Sequence, residues 1–281
     1  MLVTRFAPSP TGPLHLGHAY SALVIQRLAG DGHVLLRLED TDSTRVRPQF
    51  ATQILDDLDW LGFRWDGAVR TQSKHRAEYD AALELLAALG LLYPCRCTRR
   101  DIADAGARAG KQGLVYPGSC RGRPMREAEP GDALRLDVAK ALERTGPLPS
   151  FRELGPLHAG AYRPDPEDLV RQIGDPVLRR RMTRDIAYDL ACPHDDALQG
   201  VTHVIRGADL WDSTPLHVLI QTVMGWPVPR YYHHALVRDD TGRRLAKIDR
   251  SKAISKYRSE GLSRADVIAL LPALPLKPLA P

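Results

Sequence analysis

Arg5-Phe-Ala-Pro-Ser-Pro-Thr-Gly-Pro-Leu-His-Leu-Gly-His18 is the stretch on which the fold turns. Val3 to Phe6 is a short β run, Pro8 to Pro13 can neither continue it nor begin a regular helix, and Leu16 to Ala29 then carries apolar residues at helical spacing. A strand therefore passes through a Pro/Gly turn into a helix that starts near His15. His15 and His18 stand three apart, on the face of the first turn where free backbone N–H groups and the positive end of the dipole also point. Gly17 between them lets a ligand approach the backbone. A pair of helical histidines is more often surface or core. This pair follows strand, turn and helix start in the first βα unit of an α/β pattern, where doubly wound sheets bind nucleotide phosphates.

With 281 residues the chain can bury a full core, as one large domain or two smaller ones. No apolar run approaches the roughly 18 residues of a membrane span, and the N-terminus enters a strand at once, without a charged-then-apolar leader. A cytoplasmic protein with no membrane contact is expected. Four cysteines are too few for a disulfide framework in a chain this long, so reduced thiols or metal ligands are the better expectation. Lys plus Arg exceeds Asp plus Glu by 39 to 34, and the isoelectric point is about 9.1, a mild excess that suits a polyanionic partner. Arginine greatly outnumbers lysine, and genome base composition explains part of that bias.

After the first helix, Gly30-Asp-Gly32 reads as a C-cap and His33 to Leu38 as a buried strand. Arg37-Leu-Glu-Asp-Thr-Asp42 sits at its carboxyl end, where open α/β sheets bind ligands. Asp40 and Asp42 read as caps for the helix that begins after Thr44 and Pro48. Helical periodicity runs from Phe50 to Leu61 and from Lys74 to Leu91, with residues 62–71 as a loop between them. From Tyr93 to about Arg126 the chain is short-patterned, basic and rich in Gly, Pro and Cys, as an insertion in a sheet domain is. Within it Cys95, Cys97 and Cys120 offer three thiols that converge on one ion or are simply reduced. Zinc is the natural candidate, and a closed zinc site wants a fourth ligand. His75 and His158 are badly placed for it, whereas Tyr116 lies four residues before Cys120. Cys192 reads as an ordinary half-buried thiol.

Leu134 to Val138 suggests a strand, and Pro147 to Pro166 a Pro/Gly-rich connection. Val177–Met182, Asp185–Ala191 and Val201–Ile205 read as strands and Pro215–Met224 as a helix. Tyr231–Val237 and Arg243–Leu245 flank Asp239-Asp-Thr-Gly242, a hairpin signal. One or two helices span Arg250 to Leu271, and a Pro-rich tail follows. The four segments expected are residues 1–92, the first half of a Rossmann-type domain; 93–160, the insertion; 161–236, the second half; and 237–281, a basic loop and helical region.

His15-Leu-Gly-His18 resembles the HIGH signature of the class I aminoacyl-tRNA synthetases, and Arg5 to Gly12 resembles their glutamyl and glutaminyl branch. Arg37 to Asp42 is similar to that branch's LR(I/L)EDTD motif, and Arg244-Leu-Ala-Lys-Ile248 occupies the place of KMSKS. The resemblance runs from about Leu2 to about Leu271. It implies an α/β fold: a Rossmann-type class I catalytic domain split by a small zinc-binding insertion, with a short C-terminal helical region. It also implies roles. His15, His18 and Lys247 would serve catalysis, with Gly17 and Arg244 joining them on ATP, which carries Mg2+. L-glutamate would be held by Arg5, Phe6, Ala7, Pro8, Ser9, Glu39, Tyr188 and Arg206, Glu39 taking the α-ammonium. Arg guanidinium suits the side-chain carboxylate through two parallel hydrogen bonds.

Two departures narrow the resemblance. Glutamyl-tRNA synthetases typically read RGEDHLSNT where this chain has Arg206-Gly-Ala-Asp-Leu-Trp-Asp-Ser-Thr214, and in the KMSKS-like stretch Arg244 replaces Lys and Ala246 replaces Ser. The sequence sides with the shorter queuosine-directed paralogues, whose zinc site uses a Cys-x-Cys, Tyr, Cys set like Cys95, Cys97, Tyr116 and Cys120. The chain also stops where a tRNA(Glu)-charging enzyme continues into an anticodon-binding domain. The partner implied is tRNA(Asp) carrying queuosine, met by a monomer. A truncated glutamyl-tRNA synthetase, a nucleotidyltransferase outside the synthetases and a non-catalytic tRNA-binding paralogue are the rival readings.

Overall fold

The computed structural model describes residues 1–238 and 252–280. The hairpin expected around Asp239–Gly242 lies outside the described residues, as do Arg244, Ala246 and Lys247.

Strand β1 (Val3–Phe6) leads through the proline turn into α1 (Leu16–Ala29), which Gly30 closes at φ 55°, a backbone conformation that favours glycine. Strand β2 (His33–Leu38) runs parallel to β1, with Val3 opposite His33 and Phe6 opposite Leu36. Helix α2 (Pro48–Trp60) carries a proline at its start. The short β3 (Arg70–Thr71) adds to the far edge of β2, and α3 (Arg76–Ala88) follows, its buried face turned to a second core with Leu92, Leu134 and Leu190. The chain then enters β4 (Leu92–Cys95), α4 (Arg99–Asp104), the small hairpin β5 (Ala109–Gly110) and β6 (Gly113–Leu114), and β7 (Ala133–Leu136). Helix α5 (Val138–Thr145) precedes β8 (Phe151–Glu153) and β9 (Gly160–Tyr162). After α6 (Pro166–Asp168) and one wide turn come β10 (Val177–Arg179), α7 (Tyr188–Leu198), β11 (His203–Gly207), α8 (Thr214–Met224) and β12 (Arg230–His234). Helices α9 (Ile254–Ser259) and α10 (Arg264–Ala269) complete the described chain.

Two parallel half-sheets meet in the middle. One is ordered β1-β2-β3, the other β11-β12-β8, with β9 antiparallel on its edge. They join where the Thr202 N–H donates to the Val3 carbonyl at 2.9 Å and the Val3 N–H donates to Thr202 Oγ1 at 2.9 Å. Strand order reverses between β1 and β11, the switch point at which open α/β sheets bind ligands. The insertion has its own antiparallel sheet, β10-β7-β4.

The sheets do not follow the 93–160 limits read from the sequence. Residues 147–166 are not a plain connection but hold β8 and β9, which extend the central sheet, whereas β10 belongs to the insertion's sheet. Residues 185–191 are not a strand either: Tyr188 opens α7. The reason is visible in burial. Leu190, Ala191, Cys192, Pro193, Asp195 and Asp196 are the buried residues of α7, so a third of its core face is ionic and its helical period is blurred as hydrophobicity. Neither aspartate caps α2, whose N-cap Arg47 makes no side-chain cap bond: Asp40 takes Ser73 N and Oγ at 2.7 and 2.6 Å, at the turn before α3. Asp42 instead gathers Thr44, Arg45 and Arg180.

Asp57 on α2 is fully buried, and neither carboxylate oxygen has a hydrogen-bond partner among the described residues. Burial pushes its carboxyl up from 3.8 to about 6, against the pull of Arg258. A carboxyl raised in the folded state is most favourable to folding while protonated, so its contribution is lost as pH rises from about 4 through 6. Asp57→Asn is therefore expected to raise unfolding stability by ~2 kcal/mol at pH 7.5, and by nothing measurable near pH 4. Urea titrations at the two pH values would check this; equal effects at both would refute it.

Candidate active site

A cleft of ≈ 910 Å³ opens at the carboxyl ends of β1, β2 and β11. Arg5, Phe6, Ala7, Pro8, Ser9, His15, Gly17, His18, Glu39, Tyr188 and Arg206 all line it, so the structure brings together every described residue expected there. The turn after β1 makes this possible. Its prolines direct the chain across the strand ends, and it is held by the Glu39 N–H donating to the Pro8 carbonyl at 3.0 Å.

His15 is the N-cap of α1. Its Nδ1 accepts from the Gly17 N–H at 3.1 Å, and His18 Nδ1 accepts from the His15 N–H at 3.2 Å, with the rings 3.9 Å apart. Each Nδ1 is thus an acceptor, so a neutral ring carries its proton on Nε2, where it is a donor. Two imidazole donors at a helix N-terminus suit phosphate oxygens. The chain returns beside them: Ala253 bridges His15, and the Ile254 N–H donates to the Leu14 carbonyl at 2.8 Å.

Two buried arginines face the cleft, and they differ. Arg5 donates Nε to Asp196 Oδ1 at 2.8 Å and a terminal nitrogen to Oδ2 at 3.2 Å, so its charge is already matched. Arg206 has no carboxylate within salt-bridge distance among the described residues. Its nitrogens donate to His233 Nε2 at 3.0 Å, Tyr188 Oη at 3.0 Å and Thr214 Oγ1 at 2.8 Å. Three of its five N–H groups are used, leaving one on each terminal nitrogen. Glu39 stands nearby, accepting from Arg37 at 3.3 Å. Burial raises its carboxyl above the ordinary value, although Arg37 and Arg5 pull the other way. Cys192 is not half-buried but fully enclosed between Arg5, Arg37 and Asp196, and burial pushes its thiol up to about 12.

Sequence reading missed several cleft residues, among them Thr11, Ser21, Arg45, Arg47 and His234. Thr11, inside the Arg5–Gly12 stretch, and the two arginines, lying next to the Arg37–Asp42 motif, carried a signal that would have found them.

A second cluster lies in the insertion. The sulfurs of Cys95, Cys97 and Cys120 lie within 4.8 Å of one another, 3.6 Å apart for the Cys97–Cys120 pair. Tyr116 Oη is 3.4 Å from both Cys95 and Cys97 and accepts from the Cys120 N–H at 2.8 Å. This set can hold a metal ion. Burial pushes the Cys97 thiol up to about 11; for Cys120 burial is the largest single influence, but hydrogen bonds with Tyr116, the Arg96 backbone, Cys97 and Cys95 together outweigh it and bring the thiol down to about 7. His75 pairs with Glu78 and His158 stacks on Trp211, so neither takes part.

Residues 1–128 and 169–278 match the class I tRNA synthetases (E and Q), catalytic domain. The Glutamyl-Q tRNA(Asp) synthetase of Rhodobacter capsulatus is 50% identical over 281 residues, covering 96% of this chain and 99% of that protein. The Glutamyl-Q tRNA(Asp) synthetase of Thiobacillus denitrificans is 40% identical over 90% of this chain and 79% of its own length. Among solved structures, a glutamate tRNA ligase from Elizabethkingia meningosepticum in complex with its amino acid superposes with a TM-score of 0.68 at 25% identity; the match covers 93% of this chain and 53% of that one, so the chain spans about half of its length. The methionyl-tRNA synthetase of Mycobacterium tuberculosis shares the fold at 13% identity with a TM-score of 0.60. On this match of sequence and architecture, the chain belongs to the class I aminoacyl-tRNA synthetases, in the branch of the Glutamyl-Q tRNA(Asp) synthetases, and is an ATP-dependent ligase.

Proposed function

We propose that the chain activates L-glutamate with ATP, without needing tRNA, and transfers it to queuosine in the anticodon loop of tRNA(Asp). The observation that carries the first half is Arg206: a buried guanidinium with no carboxylate partner among the described residues, facing the same cleft as the His15 helix start. It offers two N–H groups to the side-chain carboxylate of glutamate, with Tyr188 beside it. Glu39 receives the α-ammonium, and Ala7 and Ser9 border the same space. The glutamate α-carboxylate oxygen then attacks the α-phosphorus of ATP, the bond to the β-phosphate breaks and pyrophosphate leaves. His15 and His18 stabilise charge developing on the phosphate oxygens, and Mg2+ accompanies ATP as part of the substrate. Lys247 and Arg244 neutralise the leaving group. Ala253, six residues after Lys247, bridges His15, and a chain that short spans at most about 20 Å. In the second step a hydroxyl oxygen of the acceptor attacks the acyl carbon, loses its proton and expels AMP.

Queuosine is supported as the acceptor by relatives named Glutamyl-Q tRNA(Asp) synthetase, matched along 99% and 79% of their own length. Zinc is supported by donor chemistry and spacing. Thiolates in a tetrahedral zinc site stand about 3.8 Å apart and a phenolate oxygen slightly closer, near the 3.6 and 3.4 Å found here. Its role is to hold the insertion together, and no catalytic step passes through it. A monomer in the cytoplasm completes the reading; among the described residues no helix is long and apolar enough to cross a membrane.

Glutamate-dependent ATP–pyrophosphate exchange is expected without any tRNA, and Lys247→Ala should slow it on the order of 10²-fold or more. A near-normal exchange rate in that variant would remove Lys247 from the mechanism.

About one zinc per chain is expected on metal analysis, falling in Cys97→Ser. Purified protein without zinc, or unchanged content in the variant, would count against the Cys95, Cys97, Tyr116 and Cys120 set.

Labelled glutamate is expected to enter queuosine-bearing tRNA(Asp), to survive periodate treatment of the 3′ terminus and to be absent from tRNA lacking queuosine. Labelling of tRNA(Glu) alone would favour the truncated-synthetase reading.

A further inference from the structure

Beneath Arg206 lies a group of buried residues, Glu153 and His233, that the expected motifs do not include. Its carboxylate, Glu153, falls within residues 129–168, the segment that the family match leaves out. Glu153 sits on β8, beside β12, and its side chain is wholly buried. Oε1 accepts the backbone N–H groups of His233 and Gly155, each at 2.8 Å, and Oε2 lies 2.7 Å from His233 Nδ1. The opposite ring nitrogen, His233 Nε2, accepts from Arg206 Nε at 3.0 Å.

The donor inventory leaves one arrangement. Arg206 Nε can only donate, so Nε2 of His233 is the acceptor; a neutral ring then carries its proton on Nδ1 and donates it to Glu153. The local packing keeps that arrangement in place. Trp211 meets the His233 ring edge-on at 5.2 Å and Tyr231 lies parallel to it at 6.0 Å. Gly155 is required as well: a Cβ there would come within 2.6 Å of Glu153 Oε1 and of the His233 carbonyl. Trp211 is one of the residues by which Arg206–Thr214 departs from the glutamyl-tRNA synthetase pattern.

We propose that Glu153 and His233 are positioning residues for Arg206, fixing its guanidinium so that its two remaining N–H groups face the carboxylate of the amino-acid substrate. The inference rests on the glutamate reading given above. A carboxylate placed directly on Arg206 would compete with the substrate for the same charge, as Asp196 does at Arg5. Interposing a neutral imidazole orients the arginine while leaving its charge unmatched. A hydrogen-bonded carboxylate behind a histidine fixes tautomer and ring orientation in the same way behind a metal.

Exchange kinetics on full-length variants test this, with glutamate and ATP varied separately. In Glu153→Gln the carboxamide nitrogen can face Nδ1, which would shift the ring proton to Nε2 and set it against Arg206 Nε–H. Half-saturation for glutamate should rise about 10- to 100-fold, that for ATP should stay within about twofold, and the maximal rate should change little. His233→Leu should behave alike. His233→Gln, whose amide can accept from Arg206 and donate to Glu153, should restore glutamate affinity to within a few-fold of the parent and keeps the test open should Glu153→Gln not fold. Glutamate half-saturation unchanged in His233→Leu, ATP and glutamate affected equally, or no rescue by His233→Gln would overturn the proposal. A parent protein that shows no glutamate-dependent exchange would instead overturn the glutamate reading on which it rests.

Discussion

Asp196 is the residue on which the two halves of the protein depend. Its carboxylate, on α7, lies 2.8 Å from Arg5 on β1 and 2.8 Å from Arg37 on β2, with all three side chains almost completely removed from water. Burying three charges costs several kcal/mol per ion, and only close pairing with saturated hydrogen bonding offsets it. The pairing is dense. Next to it Asp195 binds Arg70, Gln72 and Tyr79 at 2.8–2.9 Å, so α7 is tied by ions to the first half-sheet and to the turn before α3. Removing one partner would leave the others charged and uncompensated, which is why such a knot fixes one arrangement of helix and sheet even where it adds little net stability.

That knot also sorts the arginines of the cleft. Arg5 and Arg37 share Asp196, and Arg37 turns its remaining edge to Glu39. Glu39 is consequently held at the cleft wall by a cation behind it, while burial still raises its carboxyl. Arg206, on the other half-sheet, is outside this exchange. Its neighbours are neutral acceptors, and it lies 5.4 Å above the Tyr231 ring. Of the two buried guanidiniums of the cleft one is matched and the other has no carboxylate partner among the described residues, which gives an incoming carboxylate a defined end that an evenly charged lining would not provide.

Local chemistry made the first βα unit legible in the sequence. Prolines and a glycine end β1, and an HxxH opening places two rings on one turn; both are short-range rules that tertiary contacts did not override. The thiols of Cys95, Cys97 and Cys120 were legible by residue type, whereas Tyr116 was suggested by its place four residues before Cys120 and by the family resemblance. What the sequence concealed is long-range. The buried stripe of α7 contains two aspartates whose partners lie more than a hundred residues away, so its period was hidden, and β8 holds three residues between prolines and glycines. Glu153 was unreadable because a glutamate in a Pro/Gly-rich stretch signals solvent until its partner, eighty residues on, is known.

The metal cluster and the cleft, separate in sequence, meet at Tyr188. A second cavity of ≈ 420 Å³ lies between the insertion and the start of α7, lined by Gln112, Tyr116 and Arg135 from the one and Tyr188 and Asp189 from the other. Arg135 lies 3.9 Å over the Tyr116 ring and donates to the Asp175 carbonyl, so the tyrosine beside the thiols also seats the arginine of the cavity wall. Tyr188 borders both cavities and accepts from Arg206. Tyr116, 3.4 Å from Cys95 and Cys97, and Tyr188, bonded to Arg206, thus line one cavity, which makes the thiol cluster and the cleft neighbours although their residues are far apart in the chain.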